Sequence, residues 1–452
     1  VAAARRRIDT RRLPPGWQIY LFIGLYPLLW LLGLAYFVWP LIALGFALSL
    51  CLKRGVRVPP GFGLWVLFLL WMLASAVEIP PGQRYLLFTW RALIYLTAGG
   101  IFLWVYNRSE DDLPNDAVAG ALTMFWGVIV LGGAVGVVLP RLSWHSFAQD
   151  ILPHSVMSNG MVYAYTHPAL AQMMFAGFGH PVGRPTAFFG YTNQWAAAVG
   201  VLTPFALLTA FRSPRPRIRM TVWGLLALSA LPIVVSLNRG LWIALALAGV
   251  YAAGKLAFAG RGKVLLGGLI ALLAMGAVIS LTPLGNTFNT RASMGQAGDG
   301  VRATVYQEAL SGVASSPLYG YGAPRASTST TTVTGGTHVG TQGQFWLVLF
   351  SHGIPGMVFY LGFFGFTFLH ALRRRSVEEL AWNAVLVISF VEMMVYDFMP
   401  TTLYVVMIGC ALLWRRRMAP VRAVSSARRP VRPPVLPAPG TAWVSPVRPQ
   451  EQ

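Results

Sequence analysis

The sequence predicts an all-α, polytopic membrane protein, and three observations carry that expectation. Hydrophobic residues make up 56% of the 452-residue chain and charged residues only 11%, with a mean hydropathy of +0.59; a soluble domain sits nearer a quarter charged. Apolar runs of roughly 20 residues, the length that crosses a bilayer as a helix, recur from end to end. Basic gaps separate them alternately, following the bias that keeps arginine and lysine on the cytoplasmic side. The length leaves room for about twelve transmembrane helices and two long loops.

The elements follow in order. Residues 1–16 form a cytoplasmic basic arm with Arg5, Arg6, Arg7, Arg11 and Arg12. The apolar stretch 17–52 is too long for one span and reads as a tight helical hairpin breaking near Gly33. Further spans are expected at 61–79, 86–106, 117–138, 193–211, 220–237, 241–258, 264–282, 345–371, 380–399 and 401–414. The first run is long enough to remain as an anchor, with no cleavable signal peptide evident. The transmembrane domain thus covers 17–418, and the Pro-, Arg- and Ala-rich tail 419–452 is expected to be disordered.

Orientation follows from the gaps. With the N-terminus inside, Lys53–Arg57, Arg212–Arg219, Lys255–Lys263, Arg373–Arg375 and Arg415–Arg417 all fall on the cytoplasmic side. The gap 107–116 holds Arg108 but also Glu110, Asp111, Asp112 and Asp116, and acidic residues count little in this rule. Both termini then lie inside, and the loops 139–192 and 283–344 lie outside the cytoplasm. A formal charge of +21 would suggest nucleic acid in a soluble chain. Here most of the basic residues flank apolar runs, so topology explains them better, and the expected partners include membrane lipid and no nucleic acid. Cys51 and Cys410 fall near cytoplasmic span ends, where no disulfide is expected.

The long loops carry their own patterns. Residues 141–175 mix aromatics, Met and His as short surface helices do. Residues 302–313 read as an amphipathic helix with Val305, Leu310 and Val313 on its apolar side. The Ser/Thr/Gly-rich stretch 326–337 has the composition of a mobile segment, either a lid or a linker.

Three arginines stand against the charge bias. Arg184 lies in GRPTAFFGYTNQ, Arg239 in the short turn SLNRG, and Arg302 at the start of the amphipathic helix. An always-charged, forked donor at the outer rim suits an anion, most simply a phosphate. The alternatives are an interfacial side chain for Arg184, a pair with Asp397 or Glu392 for Arg239, and a solvated loop residue for Arg302. Asn193 can cap the span that it begins. Arg91, inside a span, needs a partner and reads as structural or as a contact to lipid phosphate. Of seven histidines, His338 stands just before a membrane helix, where a neutral imidazole can take a proton from a hydroxyl. His352 and His370 read as packing residues. No phosphate loop, zinc-type His/Cys spacing or paired-Asp motif occurs, so neither a metal nor a cofactor is expected.

The order of these motifs resembles the O-antigen ligase and polymerase family: Arg184 with Gly190 and Asn193, then SLNRG, then Arg302 with the turn PLYGYG at 317–322, then a histidine before the Gly353–x–x–Gly356 span. The resemblance covers roughly 180–372. It implies a GT-C-like, inverting, metal-independent glycosyltransferase of polysaccharide biosynthesis in the bacterial cytoplasmic membrane. Its donor would be a glycan on a polyprenyl pyrophosphate such as undecaprenyl pyrophosphate, and its acceptor a hydroxyl of a glycan or glycolipid. Carried over, Arg184, Arg239 and Arg302 hold the pyrophosphate, Asn193 helps to position the donor, and His338 is the general base. One departure stands out. The family's histidine lies eleven residues before Gly353, a position held here by Gln342. Either His338 reaches the same point or Gln342 occupies it, and an amide can orient an acceptor but cannot take its proton.

Within the family, the chemistry is either block transfer or polymerisation of repeat units on the lipid. From a different class, a transporter or flippase of lipid-linked glycan fits the span count equally well. Against it, the polar groups gather at the outer rim instead of the midplane.

Overall fold

The computed structural model describes residues 13–79, 84–174, 182–258, 260, 300, 302–327, 338–372 and 376–415. Among these, six helices are long and apolar enough to cross a membrane: Arg84–Tyr106, Asn115–Val138, Thr192–Arg212, Pro216–Val235, Arg239–Phe258 and Gln344–Ala371. Trp17–Leu31, Ala35–Cys51, Phe62–Ala74 with the 3-10 turn Ser75–Glu78, and Thr401–Arg415 are shorter apolar helices, and Val377–Glu392 packs among them. The expected hairpin in 17–52 breaks where the sequence placed it, with Gly33 at φ 72° between two helices. The expected span 264–282, most of the segment 326–337 and both chain ends lie outside the described residues.

Burial is aromatic. Trp39, Trp65, Trp126, Trp195 and Trp382 are fully buried. Large rings fill the spaces between helices, and each indole N–H needs an acceptor. Trp39 donates to Phe22 O at 3.1 Å and Trp195 to Ile129 O at 3.2 Å. Glycines admit the rings: a Cβ on Gly133 would stand 2.6 Å from the Trp195 ring.

The two ends of the bundle differ in charge. At one end, Lys53 Nζ donates to Asn107 O, Arg212 pairs with Glu378, Lys255 reaches Leu372 O and Arg415 reaches Asn115. These contacts tie together the basic gaps. The opposite end carries the 31–35, 235–239 and 392–401 connections with the described parts of 138–192 and 315–344, and all six candidate site residues are there.

Three expectations need correction. The span drawn at 380–399 ends at Glu392, and 393–400 is a loop whose carbonyls accept hydrogen bonds from the start of the Gln344–Ala371 helix. The first long loop holds short helices, Phe147–Ile151, His154–Met157 and Gly160–Thr166, but the end of the stretch read that way does not: Ala171–Met174 pairs antiparallel with Val182–Pro185, and further on Arg325–Ala326 pairs with His338–Val339. Such two- to four-residue pairings are too short to show a period in sequence. In the 302–315 helix the buried positions are Val305, Ala309 and Val313, while Leu310 is exposed. An i, i+4, i+8 stripe replaces the one read from Leu310 because the alanine lies on the packed side.

Candidate active site

Arg184 sits on the Val182–Pro185 strand, in register with Gln172. Its Nε donates to Ser236 O at 2.7 Å and its Nη2 to Asn238 Oδ1 at 2.8 Å. Ser236 caps the C-terminus of the Pro216–Val235 helix, where carbonyls lack intrahelical donors and the helix dipole favours a cation. Between the two acceptors, Leu237 takes φ 54°. For a residue with a Cβ this left-handed backbone costs ~1–2 kcal/mol. It turns the chain so that Ser236 O and the Asn238 side chain face the same guanidinium. Asn238 Nδ2 also donates to Thr192 O at 3.3 Å, joining the turn to the start of the Thr192–Arg212 helix. Arg184 therefore braces the SLNRG turn instead of lying loose at the interface.

The turn leads into the Arg239–Phe258 helix, whose start touches Tyr396. The Leu241 N–H donates to Tyr396 Oη at 3.1 Å, and a Cβ on Gly240 would stand 2.7 Å from that oxygen. Tyr396 lies in the 393–400 loop and is buried. Burial and the neighbouring Glu392 push its phenol above the ordinary value; the Leu241 N–H and the charges of Arg184 and Arg302 pull it back. Two arginines from separate loops thus act on one phenol, whose oxygen rests on the helix that Arg239 begins.

The 302–315 helix reaches the same loop through aromatic contacts. Tyr306, one turn after Arg302, stacks on Trp346 with centroids 4.3 Å apart, and the Trp346 indole donates to Met394 O at 3.1 Å. Gln344, fully buried, locks the loop: its N–H donates to Tyr396 O at 2.8 Å, its Nε2 to Tyr95 Oη at 2.8 Å, and its Oε1 accepts from Phe398 N at 3.4 Å. Neighbouring Gly343 lets the chain pass, since a Cβ there would lie 2.6 Å from Met394 O.

The Gln344–Ala371 helix is broken at Gly353, with φ 68° and ψ −171°. The PLYGYG turn fills the break. Tyr321 N donates to Phe350 O at 3.0 Å, Gly322 N to Ser351 O at 2.7 Å, and Ile354 N to Pro317 O at 2.8 Å. Irregular backbone within a membrane bundle needs such protein partners. His352 is spent there as a packing residue, with Nδ1 2.8 Å from Ser75 Oγ.

The predicted residues fall as follows. The charges of Arg184 and Arg302 both act on the Tyr396 phenol. Arg239 is exposed on the first turn of the helix that touches it. Neither carboxylate proposed as its partner serves: among the described residues no hydrogen bond reaches the Glu392 oxygens, and Asp397 accepts from Met399 N at 3.1 Å with Arg91 as its charged neighbour. Burial raises the Asp397 pKa against those two influences. Asn193 is the second residue of its helix, and the cap position is Tyr191, so Asn193 is no cap. His338 is exposed on the Arg325–Ala326/His338–Val339 hairpin, and Gln342 stands in a bend two residues before Gln344. The segment between them is not helical, so they are not one turn apart on a common face. Tyr396 and Gln344 escaped the sequence reading. The signal the sequence offers is a polar pair, Tyr396–Asp397, interrupting the apolar run 380–399. Among the described residues no three His, Cys, Asp or Glu side chains cluster as metal ligands do.

Compared with known families, residues 224–361 match O-antigen ligase. Over this segment the chain is similar to the O-antigen ligase family. The O-antigen ligase match takes in the SLNRG turn, Arg302, PLYGYG, His338, Gln342 and the Gly353 break, whereas Arg184, Asn193 and Tyr396 lie beyond it. No curated protein matches the chain.

Proposed function

We propose that this protein is an inverting membrane glycosyltransferase of the O-antigen ligase and polymerase kind, moving a glycan from a polyprenyl pyrophosphate to a hydroxyl on the outer face of the cytoplasmic membrane. The family match and the apolar helices support a membrane enzyme of polysaccharide biosynthesis. The observation that supports the finer reading is that the charges of Arg184 and Arg302 both act on the Tyr396 phenol, whose oxygen accepts from the Leu241 N–H in the first turn of the Arg239–Phe258 helix.

In this reading the acceptor oxygen forms a bond to the anomeric carbon while the bond from that carbon to the diphosphate oxygen breaks. The electron pair leaves with the diphosphate, and the hydroxyl proton passes to His338. Arg302 and Arg239 meet the charge growing on the diphosphate. Arg184 spends two donors on the SLNRG turn and contributes the rest of its charge to the same region. Preorganised cations lower the barrier because no reorganisation is needed as charge develops. The N–H groups opening the Arg239–Phe258 helix add to the anion's environment. Gln342 orients the acceptor hydroxyl, which an amide can do as donor or acceptor, and Asn193 helps to position the donor. The reaction draws on these side chains and takes no metal.

Glycan transfer by membranes carrying Arg239→Ala tests this directly. The reading expects transfer to be abolished with protein level unchanged; full transfer would refute the clamp. Sizing the product made from purified donor separates block transfer from polymerisation. Movement of lipid-linked glycan across liposomes without covalent change would favour a flippase.

A further inference from the structure

We propose that the groove between the 302–315 helix and the Arg325–Ala326/His338–Val339 hairpin holds the sugar residues of the acceptor glycan. The inference rests on the transferase reading and assigns its second substrate a place.

The helix has two ordered faces. Val305, Ala309 and Val313 are buried, so its apolar side is already used. Thr304, Gln307, Glu308 and Ser311, at i, i+3, i+4 and i+7, form a polar stripe that lines one wall of a groove of about 390 Å³. Ligand sites occupy ~300–1,000 Å³. The floor is aromatic: Tyr321 stacks on Phe350 with centroids 4.8 Å apart, and the Arg325 guanidinium lies 3.7 Å over the Tyr321 ring. Gly312 lets the helix pack directly on the buried Phe350, because a Cβ there would stand 2.6 Å from its ring.

This lining selects one chemistry. Hydroxyl, amide and carboxylate groups together both donate and accept hydrogen bonds, as the many hydroxyls of a sugar require. The Arg325 guanidinium over Tyr321 places further donors at the base of the groove. A lipid chain would strip water from the polar wall without replacing its hydrogen bonds. The position fits too: Thr304 is two residues after Arg302, and His338 is the strand partner of Ala326 and the neighbour of Val339, both of which line the other wall. A glycan lying here leads toward both the anion-binding arginine and the proposed base.

The test uses the full-length protein in detergent micelles, with oligosaccharides released by mild acid from the envelope glycans of its own host as the probe. Saturation-transfer NMR should carry magnetisation to sugar protons on the wild-type protein. Ser311→Trp, a change at an exposed helix position that fills the groove, should lower that signal at least fivefold. Arg184→Ala should leave it intact while weakening binding of a polyprenyl diphosphate. Absence of sugar signal on the wild-type protein, or equal signal in Ser311→Trp, overturns the groove assignment. Unchanged diphosphate binding in Arg184→Ala counts instead against the transferase reading, so the two failures are distinct.

Discussion

Arg184 Nη2 donates to Asn238 Oδ1 at 2.8 Å, and this contact joins two loops 54 residues apart in sequence. With the bond from Nε to Ser236 O, it makes the guanidinium a planar brace across the SLNRG turn. Lysine offers a point charge on a flexible stem and cannot span both acceptors in the fork geometry. Arg184→Lys is therefore expected to lose at least tenfold in glycan transfer, about 1.4 kcal/mol of barrier, despite keeping its charge. Transfer at the wild-type rate in Arg184→Lys would reduce the role of Arg184 to charge alone.

Tyr396→Phe isolates the phenolic oxygen. Its removal leaves the buried Leu241 N–H without its acceptor, at a cost of ~1–3 kcal/mol for an unsatisfied buried donor. The variant is expected to melt at lower temperature in detergent and to bind polyprenyl diphosphate more weakly, since the helix start loses its register against the 393–400 loop. Melting and affinity both equal to wild type would show that Tyr396 organises nothing.

Gly353→Ala should prevent accumulation of folded protein. The position has φ 68°, and a Cβ would lie 2.2 Å from Leu318 O, a backbone atom that cannot swing aside. Gly365, where a Cβ meets nothing within 4 Å, provides the control, and Gly365→Ala should fold normally. Fluorescence-detected size-exclusion profiles of the two variants give the comparison; a monodisperse Gly353→Ala peak would show that the helix break is not required.

His338→Ala is expected to lower transfer at least tenfold, with Gln342→Ala affecting mainly the acceptor KM. If Gln342→Ala is inactive and His338→Ala is unaffected, the reaction centre belongs at Gln342 and the proton leaves by another route. Solvent rescue of His338→Ala by imidazole would support the base role more narrowly than loss of activity alone.

Much of this architecture is legible in the sequence because the bilayer enforces it. Apolar runs and alternating basic gaps located most of the helices, and Gly33 marked the hairpin break. The same rule made Arg184, Arg239 and Arg302 visible as exceptions. Tyr396 and Gln344 were not visible because they act through backbone groups: Leu241 N, Phe398 N and the Tyr396 carbonyl. Such partners leave no residue-type pattern. The 393–400 loop hid inside an apolar stretch, since its polar backbone is satisfied by the neighbouring helix start instead of by water. The PLYGYG turn was readable as a motif but not as a plug, because its partners are the carbonyls of a helix that appears continuous in sequence. The hairpins in the long loops were too short to announce themselves.

The most direct measurement of the central claim is the affinity of the full-length protein in nanodiscs for a polyprenyl diphosphate, compared among wild type, Arg184→Ala, Arg302→Ala and the double variant. Convergence on one diphosphate predicts at least tenfold weaker binding in each single variant. It also predicts a double variant that departs from additivity by ~0.5–3 kcal/mol, as residues sharing one partner do. Wild-type affinity in both single variants would contradict it.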